Sequence, residues 1–197
     1  APTCTASLSP ETADGNNGWY KSSVTVTLTA DDNVKMGTIY YRINGGSWLV
    51  YTAPFTISND GSYVIDYYAV DSVGNVGSTG SVSFKIDATA PTASISSPQA
   101  GYIYFFGREL MPRLLFKDKA LIIGGLNAEA TASDSTSGVY VVKFNEDGTT
   151  FAEDTSSPYS APLPFSLFKK HTLTVTAEDF AGNTYTATAG VDYFKIF

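Results

Sequence analysis

The chain has one cysteine and one histidine in 197 residues, and charged side chains fill only 16% of its positions. A single cysteine closes no internal disulfide and builds no cysteine-based zinc site. Twelve Lys and Arg stand against 19 Asp and Glu, for a net charge of −7. That balance lacks the basic footprint of a nucleic-acid binder. No uninterrupted apolar run approaches the ~18–20 residues that span a bilayer, so no transmembrane segment is read here. Gly-x-Ser-x-Gly, His-Glu-x-x-His, the P-loop and Gly-x-Gly-x-x-Gly are all missing, and with them the common local signatures of catalysis. Disorder is excluded from the other side, because 43% hydrophobic residues with 12 Phe and 13 Tyr make ample core. What is abundant is small hydroxyls: 21 Ser and 23 Thr.

Those hydroxyls fall into period-two patterns. Val24, Val26, Leu28 and Ala30 alternate with Thr25, Thr27 and Thr29, and Leu173, Val175 and Ala177 with Thr172, Thr174 and Thr176. Such runs put aliphatics on one face and Thr on the other, as in half-buried antiparallel strands. Ile39, Tyr41 and Ile43 follow the same rule ahead of Asn44-Gly45-Gly46, a hairpin signal. No window holds a 3.6-residue period. The predicted class is all-β, with short strands and tight turns.

The chain also repeats itself. Ala1-Pro2-Thr3 through Pro10 returns as Ala90-Pro91-Thr92 through Pro98, and Thr29-Ala30-Asp31-Asp32 as Thr131-Ala132-Ser133-Asp134. Ala69-Val70-Asp71-Ser72-Val73-Gly74-Asn75 returns as Ala177-Glu178-Asp179-Phe180-Ala181-Gly182-Asn183. Three blocks in one order predict two tandem copies, residues 1–89 and 90–197. The joint is Asp87-Ala88-Thr89-Ala90-Pro91, whose proline restricts the backbone. Each copy has room for about seven strands, the size of an immunoglobulin-like antiparallel β-sandwich.

The Ala-x-Asp-x-x-Gly-Asn block and the Thr-Ala-Pro-Thr joint resemble bacterial and archaeal Ig-like surface repeats. In the first copy Gly18-Trp19-Tyr20, the Val24–Ala30 run, Ser47-Trp48, Tyr51 and Pro54-Phe55 look like a repeat of a spirochaetal outer-membrane adhesin. In the second, Gly101-Tyr102-Ile103-Tyr104-Phe105-Phe106-Gly107-Arg108-Glu109 and Ile122-Ile123-Gly124 look like an Ig-like domain of archaeal surface and secreted proteins. The resemblance covers nearly the whole chain and implies an extracellular, cell-surface location. It says little of activity, because one fold serves many hosts.

Four features bear on chemistry. His171 aligns with Tyr63, eight residues before Asp179 and Asp71 respectively, where a sandwich places a corner-locking residue. Cys4 aligns with Ala93, so a small residue suffices there. The acidic turns offer Asp31, Asp32, Asp71 and Asn75 in one copy and Asp134, Asp179 and Asn183 in the other. Carboxylate and amide oxygens of this kind suit calcium. The same residues equally make Asx-turn hydrogen bonds to nearby amides. No other cofactor is expected.

The fourth feature, an enlarged hairpin over about 102–126, belongs to the second copy alone. It gathers Tyr102, Tyr104, Phe105, Phe106 and Phe116 with Arg108 and Arg113, locally basic within an acidic domain. It reads as a docking or lipid-facing surface, or as cover for its own sandwich. Trp48, with Trp19, Tyr20, Tyr40, Tyr51 and Tyr68, supplies flat rings that suit the apolar faces of sugars.

The expectation is a noncatalytic stalk, spacer or adhesive module of a larger surface protein, not an enzyme, with the short joint limiting bending. Its partners would be other repeats of the parent protein or neighbouring surface proteins. One alternative is a glycan- or polymer-binding accessory to a secreted hydrolase. Another is a self-assembling filament subunit that uses 102–126 or the apolar end Val191–Phe197.

Overall fold

Val24, Val26 and Leu28 are buried, whereas the threonines between them face outward. The sequence alternation thus becomes the two faces of a strand. The computed structural model describes residues 1–33, 35–112, 118–164 and 169–194. The chain divides into two units, Ala1–Thr89 and Ala90–Phe197. Each is an all-β, immunoglobulin-like sandwich of a small sheet and a large one.

The first unit contains β1 (Thr3–Ser9), β2 (Trp19–Tyr20), β3 (Val24–Asp31) and β4 (Met36–Ile43). It continues with β5 (Leu49–Val50), β6 (Phe55–Ile57), β7 (Gly61–Asp71) and β8 (Gly80–Ile86). Strands β1-β3-β6 form the small sheet and β2-β8-β7-β4-β5 the large one. Val24, Val26 and Leu28 from the first meet Ile65, Tyr67, Phe84 and Ile86 from the second. Tyr20, on the two-residue β2, seals the same core by pairing parallel with β8 opposite Ile86.

The second unit contains β9 (Thr92–Ser97), β10 (Tyr102–Phe105), β11 (Arg108–Pro112), β12 (Lys119–Ile123) and β13 (Asn127–Ser133). Then come β14 (Val139–Glu146), β15 (Thr149–Asp154), β16 (Tyr159–Pro162), β17 (Lys169–Asp179) and β18 (Thr184–Phe194). The small sheet is β16-β13-β9, and the large one runs β11-β10-β12-β18-β17-β14-β15. Phe144, Leu173, Val175, Val142 and Ile122 are among its fully buried large side chains, packed with Ala128 and Ala130.

The two units share their register. Thr5 lies opposite Thr29 in the first and Ser94 opposite Thr131 in the second, with hydroxyls 2.9 and 2.8 Å apart. Further pairs join Thr25 to Thr56 (2.8 Å), Thr92 to Ser133 (3.0 Å) and Thr176 to Thr186 (3.1 Å). The hydroxyl-rich composition is therefore used in cross-strand pairs on outer faces, where such contacts add a few tenths of a kcal/mol each, up to about 1.

The units differ in how the chain travels from the first strand to the strand that pairs parallel with the last one. Pro10 and Tyr20 are ten positions apart, and Pro98 and Ile122 twenty-four. The added length makes the β10–β11 hairpin. Strand β10 pairs parallel with β12, which pairs parallel with β18. Among the described residues no helix is long and apolar enough to cross a membrane.

Candidate functional site

The acidic turns are built alike in both units. Asp71 Oδ1 accepts the Val73 and Asn75 amides, both at 2.9 Å, and Oδ2 accepts the Asn75 side-chain amide at 2.6 Å. Asp179 Oδ1 accepts the Asn183 amide at 2.8 Å, and its Oδ2 the Asn183 side chain at 2.9 Å. Gly74 and Gly182 hold φ of +96° and +89°, a conformation that glycine adopts without a Cβ clash. Asp-x-x-Gly-Asn is thus a self-closing turn in which Asn donates to Asp. Burial pushes the Asp71 carboxyl up. The Asn75 side chain and the Asn75, Val73 and Gly74 amides together outweigh it and hold the group below the usual carboxylate range.

Asp134 Oδ1 accepts the amides of Thr136, Ser137 and Gly138 at 2.7–3.0 Å. The structure brings the carboxylate oxygens of Asp134 and Asp179 within 4.8 Å of one another. Asp31 is exposed, whereas the Asp32 side chain is buried. Among the described residues no three-carboxylate group forms around Asp31, Asp32 and Asp71.

His171 is explained by its partner. In the first unit Asn44 (φ +50°) opens the turn after β4, and its Oδ1 accepts the Val64 amide at 2.8 Å. Its Nδ2 donates to the Ser62 carbonyl at 3.2 Å. The second unit has Asp147 (φ +49°) there, whose Oδ1 accepts the Thr172 amide at 2.9 Å. A carboxylate has no donor to replace the lost Nδ2–H. His171 Nδ1 instead faces Asp147 Oδ2 at 2.9 Å and Glu146 Oε1 at 3.1 Å. Tyr63, at the matching position, donates to the Asn59 carbonyl at 2.9 Å.

The enlarged hairpin is split between core and surface. Tyr104 is buried; its hydroxyl accepts the Gln99 amide at 2.9 Å and donates to Glu109 at 3.2 Å. Tyr102 is half-buried against the core, whereas Phe105, Phe106 and Arg108 are exposed. Arg113 and Phe116 lie outside the described residues. Phe106 sits at φ +47° before Gly107 at +79°. Its ring fills the space that a Cβ on Gly124 would need, 2.8 Å away. Beside the hairpin is a cleft of about 620 Å³ lined by Tyr104, Glu109, Asn127, Glu129, Pro162 and Leu163. Sequence reading missed Asn127 and Glu129, which reach it only through the pairing of sheets.

The aromatic candidates of the first unit divide between its core and its outer side. Tyr20 enters the core, Tyr51 accepts the Leu28 amide at 3.1 Å, and Trp19 packs under Lys85 at 4.5 Å. Tyr40, Tyr68 and Trp48 come together on the outer side of the large sheet. Tyr40 and Tyr68 are cross-strand partners, stacked at 5.1 Å and 17°. Trp48 abuts Tyr68 edge-on at 4.6 Å. Arg42 lies 4.7 Å over the indole and donates from Nε to Asp66 at 2.8 Å. Arg42 and the Ser81 hydroxyl, in that order, hold the Asp66 carboxyl low. Arg42 and Asp66 also escaped the sequence reading, although both occupy outward positions of β4 and β7.

The chain is similar in structure to the fibronectin(III)-like modules of Clostridium thermocellum CbhA, at 16% identity and a TM-score of 0.47. That match covers 97% of this chain and 95% of the other. The D00-D0 domains of intimin match at 13% identity and a TM-score of 0.41, over 95% of this chain and 99% of theirs. A 1.5-MDa bacterial ice-binding adhesin matches at 14% and 0.40, over 98% of this chain and 64% of that one. No curated protein matches the chain. In sequence, residues 124–189 of the second unit match the bacterial Ig domain family.

Proposed function

We propose that the chain is a noncatalytic structural and adhesive module of a larger cell-surface protein. The observation that carries this reading is the duplicated turn chemistry in an Ig-like frame. Asp71 and Asp179 accept hydrogen bonds that close their own loops, and Asp134 does the same for its turn. His171 faces Asp147 in the position of a strand-end lock. The polar residues most suited to chemistry therefore have structural work. The bacterial Ig family match over 124–189 supports the same reading, since modules of this kind place grafted surfaces on a stable frame.

Surface display is tested on intact cells of the source organism with an antibody raised against the chain. Labelling before permeabilisation, abolished by external protease, is expected. Signal that emerges only after lysis overturns the reading.

A further inference from the structure

We propose that the Tyr40–Tyr68–Trp48 face of the first unit, with Arg42 and Asp66 beside it, binds a neutral saccharide. The proposal deepens the adhesive reading and takes its biological setting from it. Its first support is internal to the molecule. By β-pairing and by the aligned Asp-x-x-Gly-Asn blocks, Tyr40 and Tyr68 correspond to Lys143 and Thr176. Arg42 and Asp66 correspond likewise to Asn145 and Thr174. The second unit folds into the same sandwich with none of these four residues, so the fold does not require them.

Its second support is chemical. Trp48 is 37% exposed, and Leu49 and Val50 continue an open apolar edge at 49% and 54%. The Trp48 ring presents a flat, electron-rich surface beside the half-buried Tyr40 and Tyr68. The C–H face of a pyranose is the matching surface. Its rim of neighbouring hydroxyls needs donors and acceptors on a fixed frame, which a guanidinium and a carboxylate provide. Arg42 and Asp66 already neutralise each other at 2.8 Å, so the face favours neither an anion nor a cation. Trp48 is held by Arg42 on its face and Tyr68 at its side. That preorganisation lowers the ordering cost of binding.

The test titrates the full 197-residue chain with cellohexaose, xylohexaose, mannohexaose and chitohexaose, read by tryptophan emission, with cellulose and chitin pull-downs in parallel. Saturable binding to at least one is expected, with Kd below about 1 mM. Tyr68→Thr and Arg42→Asn install the residues of the second unit and are expected to weaken it at least tenfold. Trp19, packed under Lys85, and the unfolding midpoint report that the variants remain folded. Binding to none of the six, or unchanged binding in both variants, overturns the proposal. Retention on a protein-coated surface without saccharide binding assigns the face to a protein partner and equally overturns it. Cell labelling is independent of all these outcomes, so failure here and failure of surface display are told apart.

Discussion

Asp71 shows what a single side chain contributes to these sandwiches. Its carboxylate closes a turn through two backbone amides and one side-chain amide. The group titrates lower in the folded chain than in the unfolded one, where its value is near 3.9. Its contribution is therefore complete above that unfolded value and lost as pH falls through the lower folded one. Urea midpoints measured from about pH 7 down to about pH 2 are expected to show Asp71→Asn less stable at neutral pH. The gap should close at the acid end. The residue types in this turn were legible in the sequence, because Asx chemistry is local. The Asp147–His171 contact was not, since it joins positions 24 apart and depends on one unit having Asp where the other has Asn44.

At the scale of elements, β3 and β17 followed from alternation alone. Val24, Val26, Leu173 and Val175 are among the most buried side chains. The turn after β4 followed from Asn44-Gly45, both at positive φ. The parallel pairing of β2 with β8, and of β12 with β18, left no local trace, because each joins distant parts of a unit. The β10–β11 hairpin carries the least expected residue. A two-residue turn with positive φ at both positions favours Asn-Gly, and here it is Phe106-Gly107. Phe106→Asn is expected to stabilise the chain by up to about 1 kcal/mol in thermal unfolding. A loss instead would show that the ring's packing against Gly124 and Phe105 outweighs its backbone cost.

The whole molecule offers two versions of one frame, each a control for the other. Shared features, such as the Asp-x-x-Gly-Asn turns and the paired hydroxyls of the small sheets, belong to the fold. Unshared ones, the outer aromatic face and the added hairpin, are where the units specialise. The cross-strand hydroxyl pairs have a further consequence. The hydroxyl pairs join strands without charge, and the ion pairs Arg42–Asp66 and Lys143–Glu178 on the outer faces are partly exposed, so solvent screens them and they contribute little. Raising salt from about 0.01 M to about 1 M shrinks the screening length from roughly 30 Å to roughly 3 Å. The melting temperature is expected to move by less than about 3 °C over that range, because hydroxyl pairs present no charge to screen. A larger fall would show that the ion pairs outweigh the hydroxyls. A strand surface tied by threonine and serine keeps its strength as the salinity of its surroundings changes.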